Sequence, residues 1–244
     1  MSGKLQGKVA LITGGAGGLG LGISMAYGAA GAKVALVGRN PEKLAAGKAE
    51  VENAGGECVT IVADMSSAAG AAEAIAATEQ SLGPIDVVVN SAGVFIWKKF
   101  LDLEPADWEG TLKSNLSAAF YTTQAFARAA AEKERQGAVI NISSIHGVVG
   151  DGGVVPHCAS KFGLLGLTEA SAEALRPMGI RVNCISPGAI EPESADKTSE
   201  TLKDKVTQGE LASLAVFLAS EESGNLTGTN LNAFGITRPV IASK

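Results

Sequence analysis

Residues 8–31 read KVALITGGAGGLGLGISMAYGAAG, and the order of residue types in this stretch decides the fold class. After Lys8 come five residues, VALIT, with no alternation of polar and apolar positions. Such a run describes a strand buried on both faces, because a strand with one wet face would alternate. The glycine cluster that follows lets the chain turn sharply, and the segment GLGLGISMAYGAAG reads as a helix. Strand, glycine turn and helix in that order open a parallel α/β sheet.

The unit recurs. AKVALVGR (32–39) is a second strand, followed by a helix from Pro41 to about Ala54. ECVTIVAD (57–64), IDVVVNSAG (85–93), AVINISS (138–144) and IRVNCISPG (180–188) are further strands, each preceded by a helical segment. A short strand near TNLNAF (229–234) ends the series. The expectation is an α/β fold: a single doubly wound, Rossmann-like parallel sheet with helices on both faces and right-handed crossovers. No linker, repeat or composition shift divides the chain, so one domain over residues 1–244 is expected. Ligands of such sheets bind beyond the carboxyl ends of the strands. That directs attention to Thr13–Gly20, Gly38–Arg39, Asp64, Asn90–Gly93, Ser143–Ser144 and Pro187–Gly188.

Composition removes several function classes. With 46% hydrophobic and 18% charged residues over 244 positions, the chain is not a disordered one. The net charge of −5 is interspersed and no Lys/Arg patch is present, so no nucleic acid partner is expected. Val9–Val37 is low in charge, but its glycines and Lys33 break it well short of a membrane span. The start, MSGKLQGK, has no apolar signal core, and Ser2 stands where myristoylation needs glycine. Cys58, Cys158 and Cys184 are odd in number and share no ligand spacing, so neither a disulfide framework nor a metal site is expected. A soluble chain in the reducing cytoplasm is the resulting expectation.

TGGAGGLG (13–20) stands after the first strand and before the first helix. There, amide N–H groups and the helix N-terminus can face a pyrophosphate, which points to a dinucleotide. The second strand ends in Gly38 and Arg39, where many such sites carry an acidic residue for the ribose hydroxyls of NAD. A guanidinium can instead hold a 2′-phosphate in a two-point grip, so NADP (NADPH) is favoured over NAD. The alternative for Arg39 is a solvated side chain at a helix start. The chain's two histidines, His146 and His157, both fall in NISSIHGVVGDGGVVPHCASK (141–161). His157 and Lys161 lie one helical turn apart on one face, so their side chains can meet.

With these residues in hand, the chain resembles the short-chain dehydrogenase/reductase family over nearly its whole length. TGGAGGLG is similar to that family's TGxxxGxG turn at Thr13, Gly14, Gly18 and Gly20, and Asp64 to its adenine-contacting acid. NSAG (90–93) is similar to NNAG, Asn115 to the helix Asn of a proton relay, and Ser144 to the catalytic Ser. Lys161 matches the Lys of YxxxK, and Pro187–Gly188 the motif beside the nicotinamide. The resemblance implies hydride exchange with a carbonyl/alcohol substrate. It implies a catalytic set of Asn115, Ser144, His157 and Lys161. The implied cofactor set is Gly14, Gly18, Leu19, Gly20, Arg39, Asp64, Asn90, Ala92, Gly93, Lys161, Pro187, Gly188 and Ile190, with no metal. A homodimer or homotetramer is also implied, through the helix beginning KFGLLGLTEASAEAL, whose apolar residues extend beyond one stripe; a buried core helix would look the same.

One position departs from the family: His157 stands where the catalytic Tyr belongs. An imidazole titrates near neutrality and can serve as acid or base. The nearby Lys161 ammonium biases it neutral, which suits a base for alcohol oxidation better than an acid for reduction. Imidazole is also shorter than phenol, and a misplacement of about 1 Å can cost on the order of a hundredfold. Three readings therefore stand open: an oxidoreductase working through His157, an NADP-binding protein impaired in or without turnover, and a non-redox lyase or isomerase. His146 either lines the cleft or is an exposed loop residue.

Further departures follow. Pro192 replaces a Thr that contacts the cofactor, the polar loop from Glu193 to Gly209 is short, and NAFGI replaces a VDGG-like turn. Trp97 and Phe100 either wall the substrate cleft or pack at a helix start; Lys98 and Lys99 either meet an anionic substrate or are solvated.

Overall fold

β1 (Val9–Thr13) is buried at all five positions, and its neighbours on either side make it the pivot of the molecule. The computed structural model describes residues 3–190 and 205–235. The other strands are β2 (Lys33–Gly38), β3 (Glu57–Val62), β4 (Val87–Asn90), β5 (Gly137–Ile142), β6 (Ile180–Pro187) and β7 (Asn230–Ala233). They form one parallel sheet in the order β3-β2-β1-β4-β5-β6-β7. The helices are α1 (Gly18–Ala29), α2 (Pro41–Asn53), α3 (Ala68–Leu82), α4 (Pro105–Leu112), α5 (Ala118–Ala131), α6 (Val155–Leu175) and α7 (Gln208–Ala219). The doubly wound parallel sheet expected from the apolar runs is the fold observed.

Because side chains alternate along a strand, each central strand feeds two cores. Ala10, Ile12, Leu36, Val89 and Ile140 pack on one face with Ile23, Tyr27, Leu44, Leu211 and Ala215 of α1, α2 and α7. Leu11, Val37, Val88 and Val139 pack on the other with Ala71, Ala74, Phe126 and Ala130 of α3 and α5. Each fully buried aliphatic side chain stabilises by about 1.5–3 kcal/mol, so the central strands dominate the energetics. The edges differ from the sequence expectation. Thr60 and Val62 of β3 are exposed, because an edge strand has a helix on only part of its surface.

Local signals set the helix starts. Asn40 accepts the Lys43 N–H (2.8 Å) ahead of Pro41, Ser67 accepts from Gly70 N (3.1 Å), and Thr207 and Glu210 form a reciprocal cap on α7. α4 and α5 are joined by a π-helical turn, Lys113–Ser117, which carries Asn115 inward. Strand order reverses between β1 and β4, and the crevice at their carboxyl ends is where this topology receives ligands.

Candidate active site

The crevice is built from the end of β1 upward. Thr13 Oγ1 accepts the backbone N–H groups of Ser91 and Ala92 (both 3.1 Å) and donates to Val89 O (3.4 Å), tying the first turn to the NSAG loop. Gly14 has φ +66°, and a Cβ there would lie 2.9 Å from Ala92 Cα. Only glycine fits this close approach. A Cβ on Gly20 would collide with the Gly14 carbonyl oxygen, so the first turn of α1 sits directly on the loop. Unlike α2, α3 and α7, α1 has no side-chain cap, and its first N–H groups, at Gly18, Leu19 and Gly20, take none from a side chain.

Beyond this turn lies a groove of about 210 Å³, lined by Gly14, Gly38, Arg39, Asp64, Ala92 and Gly93 and also by Met65, Ser66, Val94, Ser114 and Ala118. Arg39 and Asp64 are both exposed at its far end. Hydrogen bonds from Ser66 hold the Asp64 carboxyl below the usual carboxylate range, helped by Arg39 and Lys113. Asn90 does not line the groove. It is turned into the sheet, where its Nδ2 bonds Asn141 Oδ1 (2.8 Å) and Thr123 Oγ1 (3.3 Å). Gly188 N donates to Ala233 O (2.7 Å), and Ile190 bridges to Val206, beyond the end of β6. Pro187 is buried at that end. Pro192 and the loop residues 193–204 lie outside the described residues, as does Ile236 of NAFGI.

Asn115, His157 and Lys161 converge beside Val94 and Gly93. Asn115 Oδ1 accepts the Val94 N–H (2.7 Å), which fixes the orientation of its amide. Its Nδ2 then donates to Val94 O and to Ser160 Oγ (both 3.0 Å), using both protons. Ser160 Oγ in turn donates to His157 O (2.8 Å). His157 Nδ1 lies 3.3 Å from Val94 O and 3.4 Å from Asn115 Nδ2. With the Asn115 protons committed and the carbonyl able only to accept, Nδ1 carries the imidazole proton and donates to Val94 O. Nε2 is left with the lone pair. Burial, and after it the Lys161 charge, push His157 down to about 4, so the ring is a neutral base at pH 7.

Lys161 is 7% exposed and its Nζ donates to Ile142 O (2.7 Å). Burial lowers it to about 8. A Cβ on Gly93 would stand 3.1 Å from Asn115 Oδ1 and 3.8 Å from Lys161 Nζ, so the bare glycine admits both side chains. Ser144 stands at the end of β5 as the cap of a 3-10 turn, Ile145–Gly147, where its Oγ accepts the His146 N–H (3.1 Å). Its own hydroxyl proton is not drawn into that bond.

Several residues here carry no obvious sequence signal. Val94 enters through its backbone and Ser114 through its place in the π-helical turn. Phe95 is 55% exposed, with its ring 4.9 Å from that of His157. Ser160 alone had a clue, as a hydroxyl three residues after His157. Trp97 is 71% exposed and lies over Gly153, while the partly exposed Lys98 pairs with Asp107 (2.6 Å). The three cysteines are buried and free. Among the described residues no group of three His, Cys, Asp or Glu is placed to hold a metal, and no helix is long and apolar enough to cross a membrane.

Residues 8–203 match the protein family described as short chain dehydrogenase. The chain is 33% identical to a 3-oxoacyl-(acyl-carrier-protein) reductase of Aquifex aeolicus, over 95% of this chain and 98% of that protein. It is 36% identical to a D-threitol dehydrogenase of Mycolicibacterium smegmatis, over 93% and 92%. Among solved structures, a short-chain type dehydrogenase/reductase from Mycobacterium marinum superposes with a TM-score of 0.87 at 31% identity, covering 95% of each chain.

Proposed function

This chain belongs to the short-chain dehydrogenase/reductase family of oxidoreductases, and on that premise we propose that it is an NADP-dependent enzyme exchanging a hydride with a carbonyl/alcohol substrate through His157. The observation that carries this reading is the fixed tautomer of His157, whose Nδ1–H is committed to Val94 O and whose Nε2 is the basic nitrogen.

The groove fits a dinucleotide. Gly14 packs on Ala92 with no room for a side chain, the N-terminus of α1 is free of side-chain caps, and Arg39 and Asp64 stand at the far end. On this reading Gly14, Gly18, Leu19 and Gly20 cradle the pyrophosphate, and Asp64 faces the adenine. Arg39 holds the 2′-phosphate, while Ala92, Gly93, Pro187, Gly188 and Ile190 flank the nicotinamide. Asn90 acts on the groove only by bracing β4 from within. When bound, the nicotinamide supplies or accepts the hydride.

The side chains handle the proton. Ser144 donates its free hydroxyl hydrogen to the substrate oxygen. His157 Nε2 takes the alcohol proton as the carbonyl forms, and the neutral state of the ring favours the oxidation direction. Lys161 binds ribose and repels an imidazolium, hastening release of the proton. Asn115 holds Val94, and through it the ring.

The test is nicotinamide-coupled turnover on a carbonyl and alcohol panel, comparing the native chain with His157→Ala and His157→Tyr. Native turnover that disappears in the Ala variant supports the reading. Turnover only in the Tyr variant would put a binding protein without native activity in its place. Substrate conversion with no net change in nicotinamide would indicate a lyase or isomerase.

A further inference from the structure

The chain has two histidines, and their rings meet edge to face, with centroids 5.7 Å apart and planes at 83°. Phe95 packs against both, at 4.9 Å from His157 and 6.3 Å from His146. The two rings differ in their access to water. His157 is 9% exposed, whereas the His146 side chain is 23% exposed. His146 thus stands between the more buried ring of His157 and solvent.

We propose that His146, backed by Asp151, passes the proton between His157 and solvent. This rests on the reading of His157 as the acid–base group. Four contacts hold the pair in place. The His146 backbone is anchored by Ser144 Oγ, and its Nε2 lies 3.6 Å from Asp151 Oδ2. The Asp151 carboxylate is aimed by its other oxygen, which accepts the Gly153 N–H at 2.8 Å, and the Asp151 N–H donates to Cys158 Sγ at 3.3 Å. The Asp151 carboxylate thus stands at ion-pair distance for a protonated His146 ring, which can receive the proton directly or across one water.

The step balances. The alcohol O–H and C–H bonds break as the C=O bond forms; the proton makes an N–H bond at His157 Nε2, and a bound nicotinamide would take the hydride. The His157 N–H then breaks as His146 gains the proton and releases it to water, while the Asp151 carboxylate offsets the transient charge. The other charged or titratable neighbours are Lys161 and Cys158 on α6 and Cys184 beneath Lys161 on β6, with the polar Val94 and Asn115 groups opposite. Lys161 repels an imidazolium at position 157, so the gradient runs outward, towards the carboxylate.

The experiment pairs turnover with imidazole NMR titrations of the full chain, using His146→Gln, Asp151→Asn and His157→Gln. His146→Gln is expected to lower kcat roughly 10- to 100-fold, with KM within about threefold and partial rescue by free imidazole. Asp151→Asn is expected to lower kcat less and to move the acid limb of the pH profile. Loss of the neighbouring charge should raise the His157 titration midpoint in His146→Gln. Unchanged kcat in His146→Gln, or a rise in KM alone, overturns the relay and leaves the proposed activity standing. If the native chain turns nothing over, the proposed activity falls, and the titrations decide the pair: an unmoved His157 midpoint in His146→Gln overturns the coupling, and a raised one supports it.

Discussion

Asn115 holds Val94 by both of its backbone polar groups, with Oδ1 accepting the N–H at 2.7 Å and Nδ2 donating to the carbonyl at 3.0 Å. The same carbonyl accepts from His157 Nδ1, so one loop residue between β4 and α4 sets the tautomer of the ring on α6. The π-helical turn at Lys113–Ser117 is what brings Asn115 within reach, at the point where a regular helix gives way.

Replacing Asn115 with Leu leaves the Val94 N–H and the Ser160 hydroxyl without this partner in a buried setting. Each orphaned group costs about 1–3 kcal/mol, so a loss of about 2–6 kcal/mol is expected in urea denaturation. Turnover should fall along with it, because His157 is no longer held. Asn115→Asp, which keeps the acceptor for Val94 N–H but loses both donors, should lie between Leu and the native residue. A fully stable, fully active Leu variant would mean that Val94 needs no clamp.

The pH dependence of His157 has a definite sign. Its folded value of about 4 lies below the usual 6.5, so the unfolded chain binds the extra proton as pH falls between these values. Stability from this group is present above about pH 6.5 and is lost as pH falls through about 4, on the order of 3 kcal/mol at 1.36 kcal/mol per unit. Urea denaturation at pH 7.5 and 4.5 should show a smaller acid loss in His157→Gln than in the native chain. In alcohol oxidation, kcat/KM should hold its acid-side plateau to well below pH 6, since the base stays unprotonated there.

Arg39 is exposed in the groove, and its proposed partner is a 2′-phosphate. A charge-assisted bond of about 1.5–3 kcal/mol corresponds to roughly 10- to 150-fold in affinity. Arg39→Ala is therefore expected to weaken NADPH binding by this range in a fluorescence titration while leaving NADH almost unchanged. Equal weakening of both would assign Arg39 no part in cofactor choice.

The sequence carried the sheet because its strands are unbroken apolar runs, and the crevice because a parallel sheet binds ligands at its strand ends. VALIT and VVVN needed no tertiary information to be read. What escaped reading depends on contacts between distant segments. Nothing in KSNL announces a π turn, and nothing in Val94 marks a carbonyl shared by two side chains. Asn90 was expected at the cofactor, yet its amide turns into the sheet, because its register opposite Asn141 offers a partner that no local pattern reveals. The pairing of Lys98 escapes a local reading for a similar reason: its partner Asp107 lies beyond the 3-10 turn at Phe100–Asp102.

Lys161 provides the clearest separation of stability from function. The residue is 7% exposed, its ammonium donates to Ile142 O, and burial lowers it to about 8 from 10.5. Between those values the unfolded chain binds the extra proton. Below pH 8 both states carry it, and the full cost of burying the charge applies, on the order of 3 kcal/mol. Lys161→Met fills a similar volume without a charge, and the carbonyl it leaves behind returns about 1 kcal/mol of cost. A net gain of about 1–2 kcal/mol is expected at pH 7, or roughly 2–8 °C in Tm, together with loss of turnover. The gain should shrink as pH rises from 8 to 10.5, where the native lysine is neutral in the folded state. A Met variant that is less stable than the native chain at pH 7 would mean that the Ile142 bond outweighs the buried charge, and that Lys161 is kept for the fold rather than for a ligand.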